Sequence, residues 1–295
     1  VSGPGVRTVR HALGHVTVPT EPRRIVALDE LSGIAALAAG REPLVVYASA
    51  GDAASAAILR DAGLDVRDMS ILSLPSQETL RELDPDLIVG TGAHGPTGLG
   101  HAALSAVAPT AVLGIEEAWR DLVRYTAGVF GADDVGERQV AAIADRLAAA
   151  DTAGREVATL ALLGFTTEPF TMAPHTPSST LIAEAEFTRP EPERAAGERW
   201  PSRVLPELLV EHDAEVVVIP DGRGMQARRI TDHPRFADLT GRVVHPVAQQ
   251  WFGNNAFSFW VIAGDLRSLA GGGADVVRSD DLAAEWTRFR AATSA

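Results

Sequence analysis

Glu78-Thr-Leu-Arg-Glu-Leu-Asp-Pro-Asp-Leu-Ile-Val89 aligns without a gap to Glu207-Leu-Leu-Val-Glu-His-Asp-Ala-Glu-Val-Val-Val218. Identical residues fall at Glu78/Glu207, Leu80/Leu209, Glu82/Glu211, Asp84/Asp213 and Val89/Val218, and Asp86/Glu215 keeps the charge. Each copy reads as a short helix feeding an apolar, buried strand. Shared apolar positions follow from packing, but packing does not require acidic residues in register. The repeat therefore predicts two similar lobes.

The surroundings extend that pattern. Strands are expected at Arg23–Asp29, Pro43–Ala48 and Asp86–Val89, and helices at Leu31–Ala39, at 52–62 and after Ser76, a cap residue. Such alternation implies βαβ units and a parallel sheet. The middle differs: 116–130 and 133–150 both read as helix, and in the second Val140, Ile143, Ala144, Leu147 and Ala148 recur at helical spacing. Eighteen residues of helix would span ~27 Å. The β-α pattern restarts at Val157–Leu163. Segment 166–201 is mostly irregular apart from a helical patch at Ser179–Glu186, and a stretch of that kind is usually functional or mobile. A strand at Arg242–Pro246, a helix at Ala256–Leu269, a Gly271-Gly272-Gly273 break and a helix at Asp280–Arg290 close the chain. The expected fold is α/β, with two parallel-sheet lobes joined by one long helix and a ligand cleft between them. Its parts are an N-terminal lobe (1–132), the interlobe helix (133–151), a C-terminal lobe (152–270) and a last helix (271–295) packing back on the first lobe.

Composition narrows the chemistry. The 295 residues are 46% hydrophobic and 22% charged, enough apolar mass for a sizeable core. No apolar run reaches the ~18–20 residues of a membrane span. A net charge of −13 argues against nucleic-acid binding. Cys is absent, which excludes disulfides, thiolate nucleophiles and thiolate metal or cluster sites. Lys is absent as well, which excludes a Walker-A loop and a pyridoxal Schiff base. Val1 is not Met, and no signal-like stretch precedes the first strand, so an exported precursor would have lost its targeting segment.

Few motifs suggest catalysis. Gly90-Thr-Gly92-Ala-His-Gly95 follows a strand, but Pro96, Gly98 and Gly100 disfavour the helix that dinucleotide binding needs. It reads as a loop. The eight His residues form no metal-ligand spacing, and no metal site is expected. The pairs Glu116-Glu117 and Asp133-Asp134 suit helix starts. Arg223, Arg228 and Arg229 follow one strand, and Trp251 and Phe252 follow another. At the carboxyl ends of parallel strands such residues suit a large planar or anionic ligand, or else a solvated Arg loop and a core Trp.

The chain resembles the siderophore/cobalamin-type substrate-binding proteins of ABC importers. The resemblance is carried by Pro22-Arg-Arg-Ile-Val-Ala-Leu28, Pro75-Ser-Gln-Glu-Thr-Leu-Arg-Glu-Leu-Asp-Pro-Asp-Leu-Ile-Val89, the helix at 133–150, Leu205-Pro-Glu-Leu-Leu with Ala214-Glu-Val-Val-Val218, and the closing loop and helix at 249–269. It implies a monomeric, non-enzymatic binding protein that captures a ferric siderophore or similar chelate and delivers it to a dimeric permease. The ligand would bring the Fe3+, and the protein would carry no cofactor. Glu78 and Glu207 stand where the family's permease-docking acids lie. By loop position, the ligand would meet Tyr47, Ser73, Thr91 and His94 from the first lobe and His175, Arg223, Arg228, Trp251 and Phe252 from the second. The resemblance further implies export to the periplasm or a lipid anchor on the outer membrane face. Two Tyr cannot build the family's usual Tyr-rich pocket, and no lipid-anchoring Cys is present. The rival reading is a two-lobed α/β enzyme using a nucleotide-type cofactor near Gly90–Gly95.

Overall fold

The structure, a computed structural model, describes residues 5–49, 53–70, 73–92, 96–114, 117–148, 155–164, 166–196, 202–222 and 224–294. It opens with an antiparallel hairpin, β1 (Val6–His11) and β2 (Gly14–Pro19). The first lobe then builds a sheet from β3 (Ile25–Ala27), β4 (Val45–Ser49), β5 (Val66–Met69), β6 (Leu87–Thr91) and β7 (Thr110–Leu113). Every neighbour pair in it is parallel, in the order β5-β4-β3-β6-β7.

The second lobe repeats the central part. β8 (Val157–Thr159), β11 (Val216–Val218) and β12 (Arg242–Val244) pair in parallel in the order β12-β11-β8. Between β8 and β11 lies a two-stranded antiparallel pair, β9 (Phe170–Thr171) and β10 (Ser202–Arg203). The order β8-β11-β12 thus mirrors β3-β6-β7. The sequence repeat maps onto β6 and β11 with their leading helices, Gln77–Leu83 and the 3₁₀ helix Pro206–His212. Leu80 and Leu209 are both fully buried, as are Val89 and Val218. An Asp in each copy also ties the turn to the neighbouring strand. Asp86 accepts from the Arg23 and Arg24 amides at 2.9 Å, and Asp213 from the Thr240 amide at 2.9 Å and the Gly241 amide at 3.0 Å.

Strand alternation explains the layering. Side chains point to opposite faces with a period of two. Ile25, Ala27, Leu87 and Val89 face one core, while Val26, Tyr47 and Ile88 face another. In the second lobe Val157, Val216 and Val218 join the first of these cores, and Ala158, Val217 and Ile219 face a separate one. One continuous core therefore runs behind both sheets. The interlobe helix Asp133–Ala148 and the apolar helix Ala256–Ala270 pack against each other within it. Sixteen residues give the interlobe helix a length of ~24 Å. The last helix, Leu282–Thr293, returns to the first lobe, where the Arg290 guanidinium donates to the Leu37 carbonyl at 2.7 Å. Among the described residues no helix is long and apolar enough to cross a membrane.

Candidate functional site

The carboxyl ends of β3, β4, β5 and β6 meet at a cavity of about 200 Å³. Two consecutive acids organise its floor. Asp29 caps the Glu30–Ala38 helix by accepting from the Ser32 amide at 2.8 Å, and its other oxygen accepts from the Thr91 amide at 2.7 Å. One carboxylate thus holds a helix start against the end of β6. Glu30, 1% exposed, accepts from the Ser49 amide and hydroxyl, both at 3.1 Å, and fixes the end of β4. Tyr47, Ser70, Ser73 and Thr97 add hydroxyls to the wall, with Met69 and Leu74 as apolar patches. The Tyr47 hydroxyl is buried, with the Arg67 guanidinium beside it. No Arg or His is among the described residues that line this cavity.

Tyr47, Ser73 and Thr91, expected from loop position, are therefore brought together in one cavity. His94 and Arg223 lie outside the described residues, as does Glu116. His175 is half-buried in the turn before the Pro177–Glu184 helix, and Arg228 is exposed on the short Ala227–Thr231 helix. Neither lines the cavity. Trp251 is corrected to a core residue. Its side chain is 2% exposed, and its indole N–H donates to Asp265 at 2.8 Å. Phe252 packs on Phe170 with ring centroids 5.8 Å apart. These aromatics close on a void of about 10 Å³ at the carboxyl ends of β8 and β11, barely room for one water.

Sequence reasoning passed over Asp29 and Glu30. The usable signal was their position directly after β3, at the edge where parallel sheets place ligands. Segment 166–201 also holds an unforeseen buried network. Arg189 donates to Glu193, to the Ser179 hydroxyl at 2.8 Å and to the Thr159 hydroxyl at 2.9 Å, while Glu193 accepts from the Thr159 amide at 3.1 Å and lies 3.1 Å from His212. Its members join β8, the β9 region and the repeat's second helix.

The glycine motif has a packing cause. A Cβ on Gly90 would lie 2.6 Å from the Thr97 hydroxyl, so glycine admits that side chain. The helix behind it, Pro96–Leu99, has four residues, too short to present a phosphate-binding N-terminus. Among the described residues no group of three or more His, Cys, Asp or Glu side chains is placed to hold a metal ion.

No known family's sequence profile matches the chain. A curated relative, the probable siderophore-binding lipoprotein YfiY of Bacillus subtilis, is 30% identical over 143 residues, which are 48% of this chain and 43% of the relative. The match thus spans less than half the relative's length. Among solved structures, the petrobactin-binding protein YclQ of Bacillus subtilis superposes with a TM-score of 0.72 at 17% identity, covering 90% of this chain and 99% of that one. SirA of Staphylococcus aureus, solved with staphyloferrin B, gives 0.70 at 16%, covering 90% and 98%. The chain has the fold of these siderophore-binding proteins. That fold is two-lobed α/β, as the internal repeat implies, and nothing in these likenesses points to a nucleotide-dependent enzyme.

Proposed function

We propose that this protein is the substrate-binding component of an ABC importer, capturing a ferric siderophore and delivering it to a membrane permease. The observation that carries this reading is the hydroxyl- and carboxylate-lined cavity at the carboxyl edge of the first lobe's sheet, in a fold shared with siderophore-binding proteins. The protein binds its ligand and performs no chemistry on it. By the same reading it is exported and works outside the cytoplasmic membrane, as a monomer, with Glu78 and Glu207 as the docking acids. Both are exposed, each in the first turn of the repeated helix.

Tryptophan-fluorescence titration against ferric siderophores, their iron-free forms, haem, cobalamin and NAD tests the assignment. Saturable binding of a ferric siderophore, with weak or no binding of its iron-free form, is expected. Binding of NAD, or of haem or cobalamin with no response to any ferric siderophore, would overturn it.

A further inference from the structure

We infer that the second lobe anchors the protein on its membrane partner through an apolar contact around Glu207, whereas the first lobe meets that partner with polar groups around Glu78; this rests on the binding-protein reading above. In the 3₁₀ helix Pro206–His212, side chains three apart share a ridge. The ridge of Pro206, Leu209 and His212 turns inward. Leu209 is fully buried, and the buried His212 lies 3.1 Å from Glu193, so the helix is pinned to its lobe. The other two ridges face solvent, Leu208 with Glu211 and Glu207 with Val210, and exposed Leu205 stands directly before them. Leu205, Leu208 and Val210 are 50%, 41% and 43% exposed. The other exposed large apolar side chains among the described residues, Val6, Leu13, Leu44 and Leu99, stand far apart in the sequence.

The repeat supplies the control. Where the second lobe has Leu205, Leu208 and Val210, the first has Ser76, Thr79 and Arg81. Ser76 caps its helix by accepting from the Thr79 amide at 3.1 Å, and Arg81 is exposed. The shared helix–strand unit therefore folds without apolar side chains on this face. What both copies keep is the pair of exposed acids, Glu78 and Glu82 in one and Glu207 and Glu211 in the other.

Charge selects the occupant. Glu207 and Glu211 stand among the apolar side chains, so an anionic lipid surface would repel the patch. A second copy meeting it about a two-fold axis would set the same acids against themselves. A protein surface with apolar side chains rimmed by Arg or Lys answers both features. Desolvated apolar contacts slow dissociation, while exposed acids mainly speed encounter. Both lobes thus guide the approach, and the second lobe holds the complex.

The test follows the purified protein by surface plasmon resonance on right-side-out membrane vesicles from iron-starved source cells. Leu205→Ser with Leu208→Ser and Val210→Ser should raise the dissociation rate at least about tenfold and leave the association rate within about twofold. Glu78→Ala with Glu207→Ala should mainly lower the association rate. Both variants should keep the melting temperature and the ferric-siderophore titration of the unaltered protein. Should the triple variant not fold, Leu208→Thr, the first lobe's residue at that place, should raise dissociation at least about threefold. An unchanged dissociation rate overturns the inference and leaves the binding-protein reading standing. Equal binding to protein-free phosphatidylglycerol vesicles would make lipid the occupant, and a concentration-dependent dimer abolished by the triple variant would make it a second copy; either overturns the inference as well. Failure of the unaltered protein to bind the membranes also overturns it, and if no ferric siderophore binds in titration the binding-protein reading falls with it.

Discussion

Asp265 sits in the core on the Ala256–Ala270 helix, accepting from the Trp251 indole at 2.8 Å and from the Val277 amide at 2.7 Å. Burial raises its carboxyl to about 7 from 3.8, with Glu285 adding to the rise and Val277, Trp251 and Arg146 opposing it. Between those values the folded protein holds a proton that the unfolded chain has released, so this group makes stability fall as pH rises from about 4 to about 7. Asp265→Asn removes that proton. The melting temperature of the variant relative to the unaltered protein should climb steadily across this window; a constant offset would show that Asp265 does not titrate there. At Glu193 the expectation is larger. Glu193→Gln leaves the Arg189 guanidinium, 6% exposed, without its counter-charge. Breaking a buried pair from one side costs about 3–5 kcal/mol. Denaturant unfolding checks it, and a loss under about 1 kcal/mol would mean that the network's hydroxyls and Met172 carbonyl compensate the charge.

At the scale of elements, close approach decides what each helix can do. Gly33 lets the Glu30–Ala38 helix lie directly on β4: a Cβ there would stand 2.7 Å from a Val46 methyl and 3.3 Å from Leu59. Gly33→Ala gains about 1 kcal/mol of helix propensity but overpacks a rigid contact at about 1–3 kcal/mol. Thermal melting should show net destabilisation, together with weaker ligand binding because Asp29 and Glu30 move with the helix. A more stable variant would show that Val46 and Leu59 yield to the added methyl. The apolar runs behind β3, β4, β6, β8 and β11 were legible in the sequence because their two faces are both buried. β5 was not, since it is an edge strand carrying Arg67 and Asp68. The hairpin β1–β2 escaped for a related reason: one of its faces stays in water, so its apolar signal is diluted. The Pro-, Thr- and Glu-rich stretch 166–201 reads as loop, yet it supplies the buried Arg189–Glu193 pair, because a paired charge in a core has the same composition as a solvated one.

Over the whole molecule, one core joins both lobes and the interlobe helix crosses it. Wide hinge opening would expose that core, so ligand binding should leave the radius of gyration nearly unchanged in solution scattering. A large contraction would contradict a shared core. The matched acids belong to this scale too. Glu78 and Glu207 occupy equivalent places in the repeated units and contribute little to folding, since exposed ion pairs are worth ~0–1 kcal/mol. Facing basic pockets on a two-subunit permease, they would orient the protein and speed encounter. Glu78→Ala with Glu207→Ala should spare ligand affinity and melting temperature while cutting uptake by about tenfold or more, measured with radiolabelled iron in cells; full uptake would remove the docking role. This pairing was readable because acids in register are not a packing requirement. The cavity was readable only in part: Tyr47, Ser73 and Thr91 follow from strand ends, whereas Asp29 and Glu30 look like ordinary helix-start acids until the sheet brings β4 and β6 beside them.

Hydrogen exchange of the free and ferric-chelate-loaded protein tests the central claim most directly, because it reads occupancy and place together. Slowed exchange should appear at the amides of 28–31, 47–49, 69–70, 73–74 and 91–92, at and beyond the carboxyl ends of the first lobe's strands. The groove lined by Pro192, Val204, Leu208 and His212 should stay unchanged. Protection confined to that groove, or none at saturating chelate, would contradict a siderophore site at the sheet's carboxyl edge.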